Sequence, residues 1–157
     1  MERKVLEVER ADPDATEASG LLEAYFLELR ERLAPSPVEI IRRWPDDFRG
    51  PGAAVVLARA EGRPVGCAGL RPLGEGVLEL KHFFLAREAR GRGFGRAMLS
   101  GVEEVARERG ARRIVLDTAA PLIEAAALYR SVGYADIPRF NDNPVAVAWF
   151  GRDLERG

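Results

Sequence analysis

Between a β-prone run ending at Leu85 and an amphipathic stretch opening at Gly93, the chain reads Ala86-Arg87-Glu88-Ala89-Arg90-Gly91-Arg92-Gly93-Phe94-Gly95-Arg96. Gly91, Gly93 and Gly95 remove side chains where a strand turns into a helix, so the backbone amides are free to converge. A helix N-terminus carries about half a positive charge and unpaired N–H donors, and such a turn can hold a phosphate or a diphosphate. Arg90, Arg92 and Arg96 add full charges nearby. Read alone, the same residues also describe a tight strand-to-helix turn with solvated arginines.

Two other phosphate-binding patterns fail here. No Lys-Ser or Lys-Thr follows the glycines, which removes a Walker loop. A dinucleotide fingerprint begins with Gly91-x-Gly93, but its third glycine position holds Arg96, whose long side chain would obstruct close helix-to-strand packing. The rest of the chain also lacks repeated βαβ units.

Periodicity organises the chain around this turn. Lys4 to Val8 alternates as a first strand, and Asp12-Pro13 opens a helix whose apolar face is Ala18, Leu21, Leu22, Tyr25, Leu29 and Leu33. Ser36-Pro37-Val38-Glu39 has capping-box spacing and predicts a short second helix through Arg43. Ala53 to Ala60 and Pro64 to Leu70 form a hairpin across Glu61-Gly62-Arg63, and the turn at Pro72 to Gly76 leads to a strand from Val77 to Leu85. Phe94, Ala97, Met98, Val102, Val105 and Ala106 then mark one face of a helix that stops at Gly110. Arg113 to Asp117, Tyr134 to Phe140 and Val145 to Leu154 read as strands, with a helix from Pro121 to Val132 closed by Gly133. The expectation is one domain over residues 1–157, an α/β arrangement in which a mixed sheet is flanked by helices.

Lys plus Arg number 24 against 25 Asp plus Glu. No net field would draw the whole molecule onto nucleic acid or an anionic membrane, so any anion site is local. No apolar run approaches the roughly 20 residues of a membrane helix. The single Cys67 cannot form an internal disulfide, and Met1-Glu2-Arg3-Lys4 enters Val5 and Leu6 without a signal peptide's apolar segment; both fit a reducing cytoplasm. Cys67 lies in the apolar run Val65 to Leu70 and reads as a small buried hydrophobe.

Arg90-x-x-Gly93-x-Gly95 resembles the Gln/Arg-x-x-Gly-x-Gly/Ala diphosphate-binding signature of the GNAT N-acetyltransferase superfamily. Leu80 to Leu99, Leu116-Asp117-Thr118, Leu128 to Tyr134 and Ile137-Pro138 are similar to consecutive family segments, so the resemblance covers about Ala53 to Leu154. It implies the acyl-CoA N-acyltransferase fold: a mostly antiparallel seven-stranded sheet, about four helices, and fourth and fifth strands that splay apart to admit the pantetheine arm of acetyl-CoA. Those strands would be Val77 to Leu85 and Arg113 to Asp117. Backbone groups around Phe83, Phe84 and Leu85 would bond the arm as an added strand does, while Arg90, Gly91, Arg92, Gly93, Phe94, Gly95 and Arg96 would hold the diphosphate. The implied activity is acetyl transfer to a primary amine of a small molecule or peptide in a ternary complex, without a metal. A non-catalytic acetyl-CoA sensor retaining the turn is the alternative. Family members are often homodimers, although no stretch here reveals an interface.

Such a transfer needs a neutral amine, a stabilised oxyanion and a proton for the departing thiolate. Tyr129 resembles the family tyrosine whose hydroxyl reaches the coenzyme sulfur, and a phenol with a pKa near 10 is a fitting general acid; alternatively it packs in the stripe Leu122, Ala125, Ala126 and Tyr129. Glu79 stands at the offset of the glutamate base in histone-modifying members, or is a solvated charge. His82, between Leu80 and Phe84, is a rival base or a hydrogen-bonded core residue. Strict alternation puts Glu79, Lys81 and Phe83 on one face and Leu80, His82 and Phe84 on the other, and a bulge would mix them. Leu122 stands where many members carry a coenzyme-contacting asparagine.

Overall fold

A computed structural model describes residues 5–33, 46–119 and 123–154. The helix expected at 36–43, and Leu122, lie outside the described residues. Strands β1 (Leu6–Ala11), β2 (Ala54–Ala60), β3 (Arg63–Gly74), β4 (Val77–Leu85), β5 (Arg113–Ala119), β6 (Ala135–Asp136) and β7 (Ala146–Asp153) form one sheet. Its order is β1-β2-β3-β4-β5-β7-β6. Every neighbouring pair is antiparallel except β4 and β5, which run parallel. This is the mixed, mostly antiparallel seven-stranded sheet expected, with helices α1 (Thr16–Leu33), α2 (Phe94–Glu108) and α3 (Ile123–Ser131) among the described residues.

The hairpin between β2 and β3 closes through Glu61 at φ 52° and Gly62 at φ 78°, the two left-handed residues that a two-residue turn needs to match strand twist. From there β3 runs four residues past the expected stop at Leu70. Pro72 is tolerated because β2 ends at the Ala54–Leu70 pair, so only β4 borders β3 beyond that point.

Helix α2 buries Phe94, Met98, Leu99, Val102, Val105 and Ala106 on one sheet face. They join Val56, Leu70, Leu80, Ile114, Leu116 and Phe150 in the main core. Bonds from Gly110 N to Arg107 O (2.9 Å) and from Ala111 N to Ala106 O (3.0 Å), with Gly110 at φ 87°, terminate the helix in a Schellman motif. Gly101 brings the helix close to β1, since a Cβ there would stand 2.4 Å from Val8 Cβ. Helix α3 packs on the same face through Ala125, Ala126, Leu128 and Tyr129.

Helix α1 covers the other face with Ala18, Leu22, Phe26 and Leu29. Its start needs correcting: Asp12 forms a turn by accepting bonds from Asp14 N (2.8 Å, side chain) and Ala15 N (2.9 Å, carbonyl), and the helix begins at Thr16. The expected strand from Tyr134 to Phe140 shrinks to Ala135–Asp136. One more bond, from Ile137 N to Trp149 O (3.0 Å), extends the pairing until Pro138, which has no N–H to give.

Candidate active site

Strands β4 and β5 pair at only Val77–Arg113, Leu78–Ile114 and Glu79–Val115. Both continue beyond, β4 to Leu85 and β5 to Ala119, each held on its far side by β3 or β7. The inner edges separate into a wedge. A cavity of about 500 Å³ occupies it, lined on the strands by Leu80, Lys81, His82, Phe83, Asp117, Thr118 and Ala119. It reaches both layers of the fold, because Tyr25, Phe26 and Leu29 of α1 and Ala125 and Tyr129 of α3 also line it. Asp47, Phe48, Arg71 and residues Asn141 to Val145 complete the wall.

A bulge in β4 sets which side chains face this space. Cys67 pairs with Phe84 and Gly69 with Lys81, so two steps along β3 span three along β4. His82 absorbs the difference at φ 55°, a left-handed conformation that is uncommon outside glycine. The faces are therefore mixed as a bulge requires. Leu78 and Leu80 lie in the core beneath α2, whereas Glu79 and Lys81 point into the polar chain described below. Past the bulge, His82 and Phe84 both meet the Tyr25 ring, and Phe83 turns to Tyr129.

His82 sits among the rings of Tyr25, Phe26 and Phe48, with centroids 5.2–5.6 Å away. Burial, reinforced by the positive Lys81 and Arg71, pushes its pKa down to about 3, so the imidazole is neutral at physiological pH. Cys67 is buried as expected, its thiol pushed up to about 12 by desolvation.

Five charged groups form a chain along the polar wall. Asp47 Oδ2 accepts from Arg71 (3.1 Å), and Arg71 Nε donates to Glu79 Oε1 (2.7 Å). Lys81 Nζ stands 3.8 Å from Glu79 Oε2 and 3.6 Å from Asp117 Oδ1. Glu79 is fully buried beneath this wall and is not among the groups that face the cavity, whereas Asp117 is. Asn141 ties the chain together: Nδ2 donates to Asp117 (2.5 Å) and to Glu79 (3.3 Å), while Oδ1 accepts from Trp149 Nε1 (2.9 Å). Asn143 adds a bond to Asp117 (3.3 Å).

The glycine turn lies where β4 leaves the wedge. Gly91 and Gly93 both hold φ 78°, and a Cβ at either would meet open space. Gly93 is the N-cap of α2 and no side chain caps the helix there, so the amides of its first turn, which have no partner within a helix, lack that acceptor. Gly95 is close-packed, with Leu128 Cδ2 3.3 Å from a Cβ at that position. Arg92 and Arg96 are exposed at the turn. Arg90 points elsewhere: Nε donates to Leu85 O (2.9 Å) and Nη2 to Glu28 (2.8 and 3.0 Å), with the guanidinium over the Phe84 ring. It braces the turn against α1, and it occupies the Leu85 carbonyl.

Tyr129 is buried against Phe83, Tyr134 and Phe150, yet reaches the cavity wall. Burial, with Tyr25 and Asp117 nearby, raises its pKa above that of a free phenol, so the hydroxyl keeps its proton. The packing role and the site position thus coincide in one side chain. Sequence reading missed Tyr25, Asp47, Phe48, Arg71, Asn141 and Asn143 as wall residues. Asn141-Asp142-Asn143-Pro144 registers locally as a turn, and the only hint of more was two asparagines where one suffices.

An acetyltransferase (GNAT) family model matches residues 18–134. An uncharacterised N-acetyltransferase of Escherichia coli is 36% identical over 93 residues, 57% of this chain and 56% of that one. The chain spans 39–60% of the length of the curated relatives it matches. A GNAT acetyltransferase from Staphylococcus aureus superposes with a TM-score of 0.77 at 19% identity, covering 96% of this chain and all of that one. A GNAT acetyltransferase from Elizabethkingia anophelis with acetyl-CoA bound gives 0.66 at 16% identity, covering 95% and 98%. With the split sheet and the glycine turn in place, the chain belongs to the GNAT acetyltransferase family.

Proposed function

We propose that this chain carries the acetyl group of acetyl-CoA to a primary amine of a small molecule or peptide, with both substrates bound at once. The observation that carries the reading is the parting of β4 and β5 beyond Glu79 and Val115, which opens toward the uncapped turn at Gly93. An extended pantetheine arm fits a wedge whose inner strand edges lack each other as partners, and a diphosphate fits amides that no side chain caps.

The coenzyme supplies a thioester, so that a C–N bond replaces a C–S bond, one proton leaves the amine and one is returned to sulfur. Gly91, Gly93, Phe94 and Gly95 bind and orient through their backbone. Arg92 and Arg96 contribute charge, and Arg90 holds the turn in place from below. Main-chain groups of Phe83 and Phe84 line the arm. Tyr129 holds the returning proton on Oη, which its burial keeps in place. Glu79 accepts the amine's proton by way of water or of Asp117, the lining carboxylate with which it shares Asn141 and Lys81. Neutral His82 and the rings around it exclude water.

Thermal unfolding with acetyl-CoA tests binding: at 100 times its dissociation constant, a ligand adds about 2.7 kcal/mol to the folded state. Thiol release across an amine panel, with product masses, tests transfer. A thermal shift without thiol release from any amine would reduce the chain to an acetyl-CoA sensor.

A further inference from the structure

The charges on the cavity wall specify more than an amine. Asp47, Glu79 and Asp117 alternate with Arg71 and Lys81, so the chain begins and ends on a carboxylate and carries one negative charge in excess. Both cations are already shared between two carboxylates. Asp142, at the mouth, is fully exposed and pairs with Arg139 at 3.8 Å. Beside these charges the rings of Tyr25, Phe26 and Phe48 also line the cavity, and the buried imidazole among them stays uncharged.

A substrate carboxylate entering here meets surplus negative charge and, among the described lining residues, cations that already have partners. An ammonium group meets the reverse: a carboxylate in excess, with apolar rings beside it for the body that carries it. Resting on the transfer reading above, we propose that the acceptor is a monocation without a carboxylate, a primary amine on an apolar body about the size of one aromatic ring. Free α-amino acids are disfavoured; their amides and decarboxylated counterparts are accepted. The excess charge also explains how the amine becomes a nucleophile, since a wall that attracts the ammonium has a carboxylate ready to receive its proton.

The test uses three compounds that differ only at the carboxylate: phenethylamine, L-phenylalaninamide and L-phenylalanine. Affinity is measured by calorimetry on the full chain with and without coenzyme A, and kcat/KM is measured with acetyl-CoA. The first two are expected to surpass L-phenylalanine by about tenfold or more in both readouts, because placing like charges together is costly. Asp47→Asn, a near-isosteric change at the partly exposed end of the charge chain, cancels the excess and frees one guanidinium nitrogen of Arg71, and should narrow that ratio by about threefold. Equal or better use of L-phenylalanine, no measurable binding of any of the three, or an unchanged ratio in Asp47→Asn would overturn the proposal. Selective binding of the two amines without acetylation would uphold it while removing the transfer reading beneath it.

Discussion

Glu79 and Val115 are the last residues across which β4 and β5 hydrogen-bond. Everything toward Leu85 and Ala119 keeps one paired edge and leaves the other to the cavity, an arrangement costly for backbone in a folded interior unless water or a ligand meets it. Amide hydrogen exchange therefore offers a direct reading. Acetyl-CoA is expected to slow exchange in Leu80 to Leu85 and at Gly93 to Arg96, and to leave β1 and β2 unchanged. Uniform protection across the sheet would instead indicate global stabilisation with no ligand in the wedge.

Tyr129→Phe removes one oxygen and retains the ring that packs on Phe83, Tyr134 and Phe150. Turnover should fall by roughly 10²–10⁴-fold, the usual contribution of a positioned acid. The thermal shift with acetyl-CoA should persist. Unaltered turnover in this variant would take the phenol out of the chemistry.

Gly93→Val places a β-branched residue at φ 78° in front of the α2 amides. The backbone conformation alone costs about 1–3 kcal/mol, and the side chain fills the open space where a diphosphate would approach. Coenzyme affinity should drop by at least about tenfold, read by titration calorimetry. Retained affinity would mean that the diphosphate is held elsewhere. NAD and NADP should stabilise neither protein.

His82 gives a pH signature. Its folded pKa of about 3 lies below the unfolded value of 6.5, so the unfolded chain binds the proton more readily. The stability that this difference represents is complete above pH 6.5 and is lost as pH falls from there toward 3. His82→Asn preserves a residue tolerant of the left-handed conformation and abolishes the titration. The Tm of the variant should therefore gain on that of the parent between pH 6.5 and 4; parallel curves would contradict a neutral buried imidazole. An activity limb near pH 6.5 that disappears in the variant would restore His82 as the base.

Local pattern made the glycine turn, α2 and the β2–β3 hairpin readable, because each depends on periodicity or on residues with unusual backbone freedom. The splaying of β4 and β5 came from family resemblance, as no residue in either strand announces that pairing will cease. The bulge at His82 was equally hidden: nothing about histidine requires φ 55°, and only the register against Cys67 and Gly69 reveals it. The polar wall joins Asp47, Arg71, Glu79, Lys81, Asp117 and Asn141 from five separate stretches of chain, and proximity of that kind leaves no trace in spacing. Arg90 is the instructive case. Its position in the signature places it at the diphosphate turn, and only the fold shows that Glu28, sixty-two residues away, holds its guanidinium to α1.

That tether gives α1 two allegiances. Tyr25, Phe26 and Leu29 line the cavity in which the acceptor is proposed to bind, and Glu28 grips Arg90, the brace of the glycine turn, from the same helix. A rigid rod cannot tilt at one lip and stay still at the other, so loading of the nucleotide end will be felt by the amine end. Compulsory-order kinetics, coenzyme first, is the behaviour expected of such a lever, and random-order initial-rate patterns would show the two ends to be independent.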